Sequence, residues 1–486
     1  MEQKVFLLNR FLPRFRLGTF GLGTLLLVVT CVAIGTWWLT RWQREVWAEQ
    51  QAIEKCLVQY NAVIHFSDEI IAKRPQKKNT PSELNFLFHL FFGKNPYSHA
   101  QFFTVRNNPK VKDFNHCAEL KWIDTIRVSK AASLTDVSGL GNLPNLEIVI
   151  FSKCDKLEDL SPLAGLPTGC MLSVSDCDLA NDFRFLADAK GIDTLMIDYA
   201  DSSLSFPPGE EISIKELFLK DCNAITSLDW LEGNRSLESL DLNFADKLVD
   251  VDVLSSLPQL ETISFNADSI DLFLPHLRHI KNLTIIDSYS KNLTNFDFLK
   301  ETPELLSFKF VGNSGSKLKS IDSIEHLKHL EHIDISGIGA NHLGCLSHLE
   351  NLKSVKLKSD VDDSKLVNLD VLANLATVET VHLKNFNHSH LKVIQSLPNL
   401  EELYLFNTAG MTNLDWLKPL QKVRVLAFSC CDELSDLKAL QQLPNLEELF
   451  FSDCGSIVDT TELEKLTQLK LLEWNGTFLV GPPKPQ

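Results

Sequence analysis

Several histidines are candidates for a chemical role, and that role would be metal ligation. His326, His329 and His332 recur at intervals of three residues, and His388 and His390 form a close pair. A metal site needs several ligands that converge on one point. His326 and His329 fall in a predicted connection between two strands, whereas His332 opens the next strand. These side chains are therefore expected to diverge. We interpret them as solvated surface residues and predict no metal.

A group of aspartates is the second candidate for metal binding. Asp360, Asp362 and Asp363 lie close together in one of the two longer repeat intervals described below. A calcium loop places its oxygen ligands at alternating positions and closes with a glutamate. This segment lacks both features, so we interpret it as an acidic loop.

Catalytic signatures are absent from the sequence. It contains no G-x-S-x-G, H-E-x-x-H, phosphate-binding loop or G-x-G-x-x-G motif. No set of nucleophile, base and metal ligands can be located. We therefore predict that the protein is not an enzyme and uses no cofactor, and an enzyme with an unrecognised site is the third-ranked alternative.

Five of the eleven cysteines share one position in a regular pattern, three residues after the last apolar residue of a predicted strand. They are Cys154, Cys177, Cys222, Cys431 and Cys454. A free cysteine packs as a small apolar group, so this register predicts cysteines stacked in the core. The number of cysteines is odd and their spacing follows the repeat, so the sequence does not indicate a disulfide framework. A bridge between adjacent repeats remains an alternative.

The elements that must position all these residues follow a repeat of 22 or 23 residues with the pattern L-x-x-L-x-L. Its first apolar position recurs in 16 units, with longer steps after Leu305 and Leu352. The unit starts are Ile123, Leu146, Gly169, Ile192, Ile214, Leu237, Leu260, Leu283, Leu305, Leu330, Leu352, Val378, Leu400, Val423, Leu446 and Leu469. A fixed period in this range predicts a solenoid with one stacked strand per unit.

The repeat units have short return segments between strands. Acidic residues beside the return-side apolar positions are expected to cap short helices, with Pro162 or Pro419 tolerated in a first turn. The segments LEDLSPLAGL (157–166), ITSLDWL (225–231) and LSDLKALQQLPNLEEL (434–449) resemble leucine-rich repeats. They look like the short bacterial type seen in internalins and like the similar eukaryotic phosphatase-regulator type.

This resemblance implies an α/β solenoid in which a curved parallel sheet forms the concave face and short 3-10 or α segments form the convex face. It implies recognition of another protein and carries no catalytic residues. The layout of a basic N-terminus, an apolar segment, a charged linker and then repeats also resembles membrane-anchored bacterial repeat proteins.

The predicted binding site is the centre of the concave face, four residues after each unit start. Large rings there would face solvent or a partner, and aromatic residues are typical interface anchors. Four aromatic and four basic side chains make up the candidate ligand-binding site: Phe218, Tyr404, Phe406, Phe450, Lys356, Lys358, His382 and Lys384. We predict an acidic or mixed protein partner. The alternative is that these are scattered surface residues without a function.

An uncharged segment from Leu17 to Leu39 is the predicted membrane anchor. As a helix it would be about 34 Å long, which is enough to span a bilayer core. Arginines flank both ends, and tryptophans cluster at the second end, where headgroups favour them. A signal peptide cleaved near Gly35 and a buried soluble helix are the alternatives.

The charge of the chain is unevenly distributed. The net charge is −16, with +5 in residues 1–80 and −21 in the remainder. An acidic body argues against nucleic acid as a partner. The positive-inside rule favours an internal N-terminus and a repeat domain on the extracytoplasmic side.

We divide the chain into a basic segment (1–16), the transmembrane helix (17–39), a juxtamembrane linker and cap (40–122), the solenoid (123–476) and a tail (477–486). Within the linker, residues 41–56 read as a helix and residues 57–66 as a strand. Residues 82–92 read as a capping element, or as a second membrane-associated helix.

The sequence therefore predicts a single-pass membrane protein whose solenoid binds a protein partner. The alternative is a structural or adhesive cell-envelope protein without a saturable ligand. The sequence gives no prediction of the oligomeric state.

Overall fold

The computed structural model describes residues 51–53, 55, 56, 60, 62–66, 100–200, 202–287, 293–312, 318, 320–337, 343–359, 369–457 and 460–480. The predicted anchor, the segment 82–92 and the aspartates at 360–363 lie outside these ranges. Within them, no helix combines the length and apolar character needed to cross a membrane.

The described chain forms one sheet whose strands lie side by side in chain order. The strands are β1 Val63–Phe66, β2 Ala100–Arg106, β3 Thr125–Ser129, β4 Ile148–Ser152, β5 Cys170–Ser175, β6 Ile192–Asp198, β7 Glu216–Lys220, β8 Ser239–Asp241, β9 Thr262–Asn266, β10 Asn282–Ile286, β11 Ser307–Val311, β12 His332–Ser336, β13 Ser354–Lys358, β14 Thr380–Lys384, β15 Glu402–Phe406, β16 Val425–Ser429, β17 Glu448–Ser452, β18 Leu471–Trp474 and β19 Thr477–Val480. The 17 strands β2–β18 are parallel, and β1 and β19 pair antiparallel at the two ends.

The apolar repeat positions form one continuous core. Ile126, Leu240, Leu357 and Leu449 come from distant units, are at most 3% exposed and belong to the same buried cluster. Alternate strand residues point inward, and burying them offsets the entropy of ordering such short strands. The predicted solenoid is therefore confirmed. We call the outward-pointing side of β2–β18 the strand face.

One predicted unit boundary was wrong. Leu283 was placed as a unit start, but it pairs with Ile263 and Phe308, which are second apolar positions. The unit therefore starts at Ile280, and its central outward residue is Thr284, not Asp287. The stacked neighbours on both sides fix this register, because a shifted strand would place its apolar residues on the strand face.

The repeat also begins earlier than Ile123. Strand β2 pairs in parallel with β3, and its Phe103 and Val105 are fully buried. Residues 477–480, placed in the predicted tail, form β19 against β18. Both outermost strands thus lie antiparallel to the stack.

The return segments are short, as the unit length requires. Among the described return segments, one contains an α-helix, α1 Ile270–Phe273. The 3-10 helices are Asn115–Glu119, Ser161–Gly165, Arg184–Ala187, Gly209–Glu211, Asp229–Leu231, Asp252–Ser256, Ala267–Ser269, Leu274–His276, Asp297–Glu301, Asp322–His326, Gly344–His348, Leu369–Asn374, His388–Ser396, Asp415–Leu417, Lys438–Gln442 and Leu463–Lys465.

Polar side chains begin several of these helices. Asp159 Oδ1 accepts from the Ser161 backbone N–H at 2.8 Å, and Asp436 Oδ1 accepts from Lys438 at 2.9 Å. Such bonds satisfy amide groups that a helix start leaves unpaired. Pro162 lies in a first turn as expected, whereas Pro419 follows its helix, which ends at Leu417.

The turn after many strands uses a residue with positive φ, followed by a buried small side chain. Asp221, for example, has a φ of 53°, and Cys222 follows it. The Cys222 thiol donates to the Ile197 carbonyl of the preceding coil at 3.3 Å. All five cysteines in this register are at most 8% exposed. The sulfur atom thus contributes both apolar packing and a weak donor.

Neighbouring coils are also joined by two polar ladders at the strand entry. Asn399 Nδ2 and Asn445 Nδ2 each donate to a carbonyl of the preceding coil at 2.7 Å. Arg424 lies between Glu401 and Glu447, at 3.4 Å and 3.1 Å. The ion pairs are exposed and contribute little individually, whereas the amide bonds satisfy carbonyls that no strand reaches.

A helical segment covers the first coil. Residues 51–53, 55, 56 and 60 are helical, so the predicted strand at 57–66 starts only at Val63. Ala52, Cys56 and Tyr60 are spaced by four residues and are buried. This spacing places all three on one helix face, which packs on the end of the core.

Candidate binding site on the strand face

Five of the eight predicted site residues line a single groove across strands β11–β15. The groove has a volume of about 380 Å³, and these five residues are Lys356, Lys358, His382, Lys384 and Phe406. They meet because parallel strands in register place equivalent outward positions side by side: Lys356 pairs with His382, and Lys358 with Lys384.

Six further groove residues were missing from the prediction: Lys309, Val311, Asp334, Ser336, Leu357 and Leu383. Lys309 and Asp334 stand in the same central column as Lys356, and register pairs all three on adjacent strands. The repeat period of the sequence already predicted this central column. The sequence did not show that the groove extends two strands beyond the predicted residues, from β13 to β11.

A stacked pair of rings borders the groove. The His382 imidazole and the Tyr404 phenol lie on adjacent strands, with ring centroids 4.0 Å apart and an angle of 1° between their planes. The Tyr404 hydroxyl donates to Glu402 Oε2 at 3.2 Å. Stacking and hydrogen bonding hold both rings in place. His382 lines the groove, whereas Tyr404 supports it from β15 without being part of the lining.

His382 carries no charge at neutral pH. Burial of the ring lowers its pKa from 6.5 to about 4, and the nearby Lys356 ammonium lowers it further than the Asp334 carboxylate raises it. Burial, with the Glu402 carboxylate, raises the pKa of Tyr404 to about 12. Both rings are thus neutral between about pH 4 and pH 12. The positive charge of the groove therefore comes from its lysines.

The lysines outnumber the acidic groups in the groove. Lys356 Nζ pairs with Asp334 Oδ2 at 3.1 Å, and half of the Lys356 side chain remains exposed. Lys309 and Lys384 are also exposed. An exposed pair of this kind is weak, so a ligand anion is able to compete for Lys356. The groove is a basic, partly apolar cleft suited to carboxylate groups.

Phe218 and Phe450 lie away from this groove. Phe450 is on β17, beside Ala427 and Glu473. Phe218 is on β7, between Met196 and Asp241. Both rings are partly buried, and neither contributes to the groove lining.

The surroundings of Phe218 are acidic. Burial raises the pKa of Asp241, and burial together with Asp221 and Asp241 raises the pKa of Asp198 against the effect of Lys220. Carboxylates that lie close together raise one another's pKa. The strand face therefore carries an acidic region near β7 and a basic region near β13.

A second depression lies on the return side and has a structural explanation. Its lining includes Asp159, Asp182 and Arg184. Asp159 is engaged in the helix start described above, and Asp182 accepts three hydrogen bonds from the Arg184 guanidinium. These three charged groups thus serve the fold, and the strand-face groove is the better candidate.

The predicted metal candidates occupy separate places. His326 ends a 3-10 helix and His332 begins β12. Across the described ranges, no three histidine, cysteine or acidic side chains are grouped as metal ligands would be.

Comparison with protein families identifies leucine-rich repeats in the C-terminal part of the solenoid. Residues 361–472 match the model of the BspA-type leucine-rich repeat region, in six copies. The predicted resemblance to leucine-rich repeats is thereby confirmed. No curated protein sequence matches this chain significantly.

Solved structures of bacterial repeat proteins are similar in fold. Internalin C2 of Listeria monocytogenes is 18% identical, with 41% of this chain and 82% of that chain covered and a TM-score of 0.30. Internalin F of the same organism is 17% identical (74% and 96% covered, TM-score 0.29). A leucine-rich-repeat protein of Leptospira interrogans is 14% identical (74% and 92% covered, TM-score 0.33).

Proposed function

We propose that this chain is a membrane-anchored leucine-rich-repeat protein whose strand face, the predicted concave face, binds an acidic segment of a protein partner. The observation that carries the proposal is the groove of β11–β15, where four lysines lie beside the neutral His382 ring, which is stacked on Tyr404. Carboxylates of the partner would pair with the lysines, and an apolar side chain would lie against Phe406.

Charge contrast supports an acidic partner. The chain has a net charge of −16, so most of its surface repels acidic proteins while the groove attracts them. Such contrast favours one docking position over all others and speeds association at low salt. A nucleic acid would also be attracted by lysines, but the acidic body opposes a long polyanion.

Charge reversal in the groove tests the proposal. We expect the full-length chain in detergent to bind a dye-labelled oligoglutamate peptide saturably, with an affinity that falls as salt rises. The Lys356→Glu/Lys384→Glu double variant should weaken binding at least about tenfold, since two attractions become repulsions. Because the pKa of His382 is about 4, its protonation should not change binding between pH 8 and 6. Fluorescence anisotropy measures each quantity.

The matched control changes the net charge equally on the return side. Lys300 and Lys438 are exposed and lie in 3-10 helices away from the strand face. Lys300→Glu/Lys438→Glu should retain most of the affinity. Equal losses in both double variants would contradict a groove site. No saturable binding by the wild-type chain would favour the structural or adhesive alternative.

The predicted anchor and orientation are part of the same proposal. Cys430 offers a native probe, because it is exposed whereas the other nine cysteines in the described residues are buried. We expect a membrane-impermeant maleimide to label Cys430 in spheroplasts expressing the full chain, since the solenoid would lie outside the membrane. Cys430→Ser is the control. Labelling only after lysis would place the solenoid on the inner side.

A further inference from the structure

Two buried thiols meet at the junction between the helical cap and the first coil. Cys56 Sγ and Cys117 Sγ are 3.6 Å apart, although 61 residues separate them in the chain. Both side chains are fully buried. A disulfide requires a sulfur–sulfur distance of about 2.05 Å, so bond formation needs the two sulfur atoms to approach by roughly a further 1.5 Å.

The surroundings hold this pair in place. Tyr60, one helical turn beyond Cys56, packs edge-on against Phe103 and Phe114 at 6.3 Å and 5.5 Å. Its backbone carbonyl accepts from Asn108 Nδ2 at 2.7 Å. The cap therefore has a defined position on the first coil, and the two sulfur atoms meet because of that position rather than by repeat spacing.

The five cysteines in the repeat register, which we call the cysteine ladder, include two pairs whose side chains also interact, Cys154 with Cys177 and Cys431 with Cys454. Thiols of the ladder, however, also bond to backbone carbonyls. Cys177 Sγ donates to the Ser175 carbonyl at 3.4 Å, and Cys454 Sγ donates to the Ser452 carbonyl at 3.5 Å. In the ladder the thiol thus has a backbone role that oxidation would abolish. Cys56 and Cys117 come from two different structural units, and a bond between them would join those units.

From this geometry we infer that Cys56 and Cys117 form a disulfide that fastens the helical cap to the solenoid when the protein meets a disulfide oxidant. The oxidant is a low-molecular-weight disulfide such as oxidised glutathione, or a protein of the same chemical class. The site is independent of the strand face and of the proposed partner.

The reaction is a thiol–disulfide exchange in two steps. The Cys56 thiolate attacks one sulfur of the oxidant, so that a mixed disulfide forms and one thiolate leaves. The Cys117 thiolate then attacks the Cys56 sulfur and releases the second thiolate. The two cysteines are oxidised, the oxidant is reduced to two thiols, and these take up the two protons.

Exchange requires the cap to open. Hydrogen bonding to Cys56 and burial raise the pKa of Cys117 well above its ordinary value, and a buried thiol is inert. The helical segment must therefore leave the first coil, or not yet have docked, when the oxidant attacks. Redocking then brings the second thiol to the mixed disulfide.

Peptide mapping of the full-length chain tests the inference. The reduced protein is incubated in detergent with oxidised glutathione and mild urea, refolded, alkylated and digested. We expect a Cys56–Cys117 linked peptide as the main cross-link, and a thermal midpoint several degrees higher than that of the reduced protein. Alkylation of both cysteines after this treatment would overturn the inference, as would a main cross-link elsewhere.

Two variants separate this site from the ladder. Cys56→Ala should remove both the cross-link and the redox-dependent shift in the thermal midpoint. Cys154→Ala, which alters a ladder pair, should keep both. A shift that persists in Cys56→Ala would assign the effect to other cysteines, and the mapping of the wild-type chain decides the matter even where a variant folds poorly.

Discussion

Phe296→Ala is expected to lower the free energy of unfolding by about 3–5 kcal/mol. The Phe296 ring is fully buried, with its centroid 5.0 Å from that of Phe308 and 5.1 Å from that of Phe310. Truncation would remove these contacts and leave a cavity, because stacked backbones on both sides resist collapse. Urea denaturation followed by circular dichroism measures the change.

A surface ring supplies the control for this prediction. Tyr199 is 55% exposed, so Tyr199→Ala should change the free energy of unfolding by no more than about 0.5 kcal/mol. Similar urea midpoints for Phe296→Ala and the wild-type chain would contradict the assignment of Phe296 to the core between β10 and β11.

The second large effect is expected from Gly141→Ala. An added Cβ at Gly141 would lie 1.9 Å from the Pro162 carbonyl oxygen of the next coil. Backbone, unlike a flexible side chain, cannot move aside locally, so the two coils must separate. We expect a loss of about 1–3 kcal/mol in the free energy of unfolding, measured by the same urea titration.

The chain offers a glycine without such a neighbour. A Cβ at Gly344 would meet no atom within 4 Å, so Gly344→Ala should leave stability unchanged or raise it by up to about 1 kcal/mol through the unfolded state. Equal losses at the two glycines would show that close coil contact is not the cause.

The sequence was sufficient to predict the repeating coil. Its apolar period determines which residues are buried, and burial dominates the energetics of a stacked strand. Strand β2 could also have been predicted, because Ala100, Phe103 and Val105 follow the L-x-x-L-x-L spacing one interval before Ile123. Alanine at the first position hid the match.

The register around β10 was not determined by local pattern. Ile280, Leu283 and Ile286 are spaced by three residues, so two unit starts fit the first two apolar positions. Only pairing with Ile263 and Phe308 decides between them. The start of the strand predicted at 57–66 was ambiguous in the same way, because apolar alternation and helical spacing both include Tyr60. The structure makes Tyr60 helical and begins the strand at Val63.

The candidate site was predicted in part. The basic residues around His382 meet because neighbouring strands carry them at equivalent positions, which the period already implied. Phe218 and Phe450 were grouped with them by residue type alone, and the structure places them on β7 and β17. Sequence pattern gives the position of a residue within its strand, but which neighbouring strands form a cleft depends on the shapes of their side chains.

The in-register pairing of β2–β18 makes the strand face a grid, with one row per strand and one column per strand position. Gain or loss of one whole coil would shift everything beyond it by a single row, about 4.8 Å, and leave the columns intact. Such a change would move the acidic region near β7 and the basic region near β13 apart or together in fixed increments. The side chains of each region would stay the same. A binding surface of this kind can be matched to a longer or shorter ligand by a change in the number of coils.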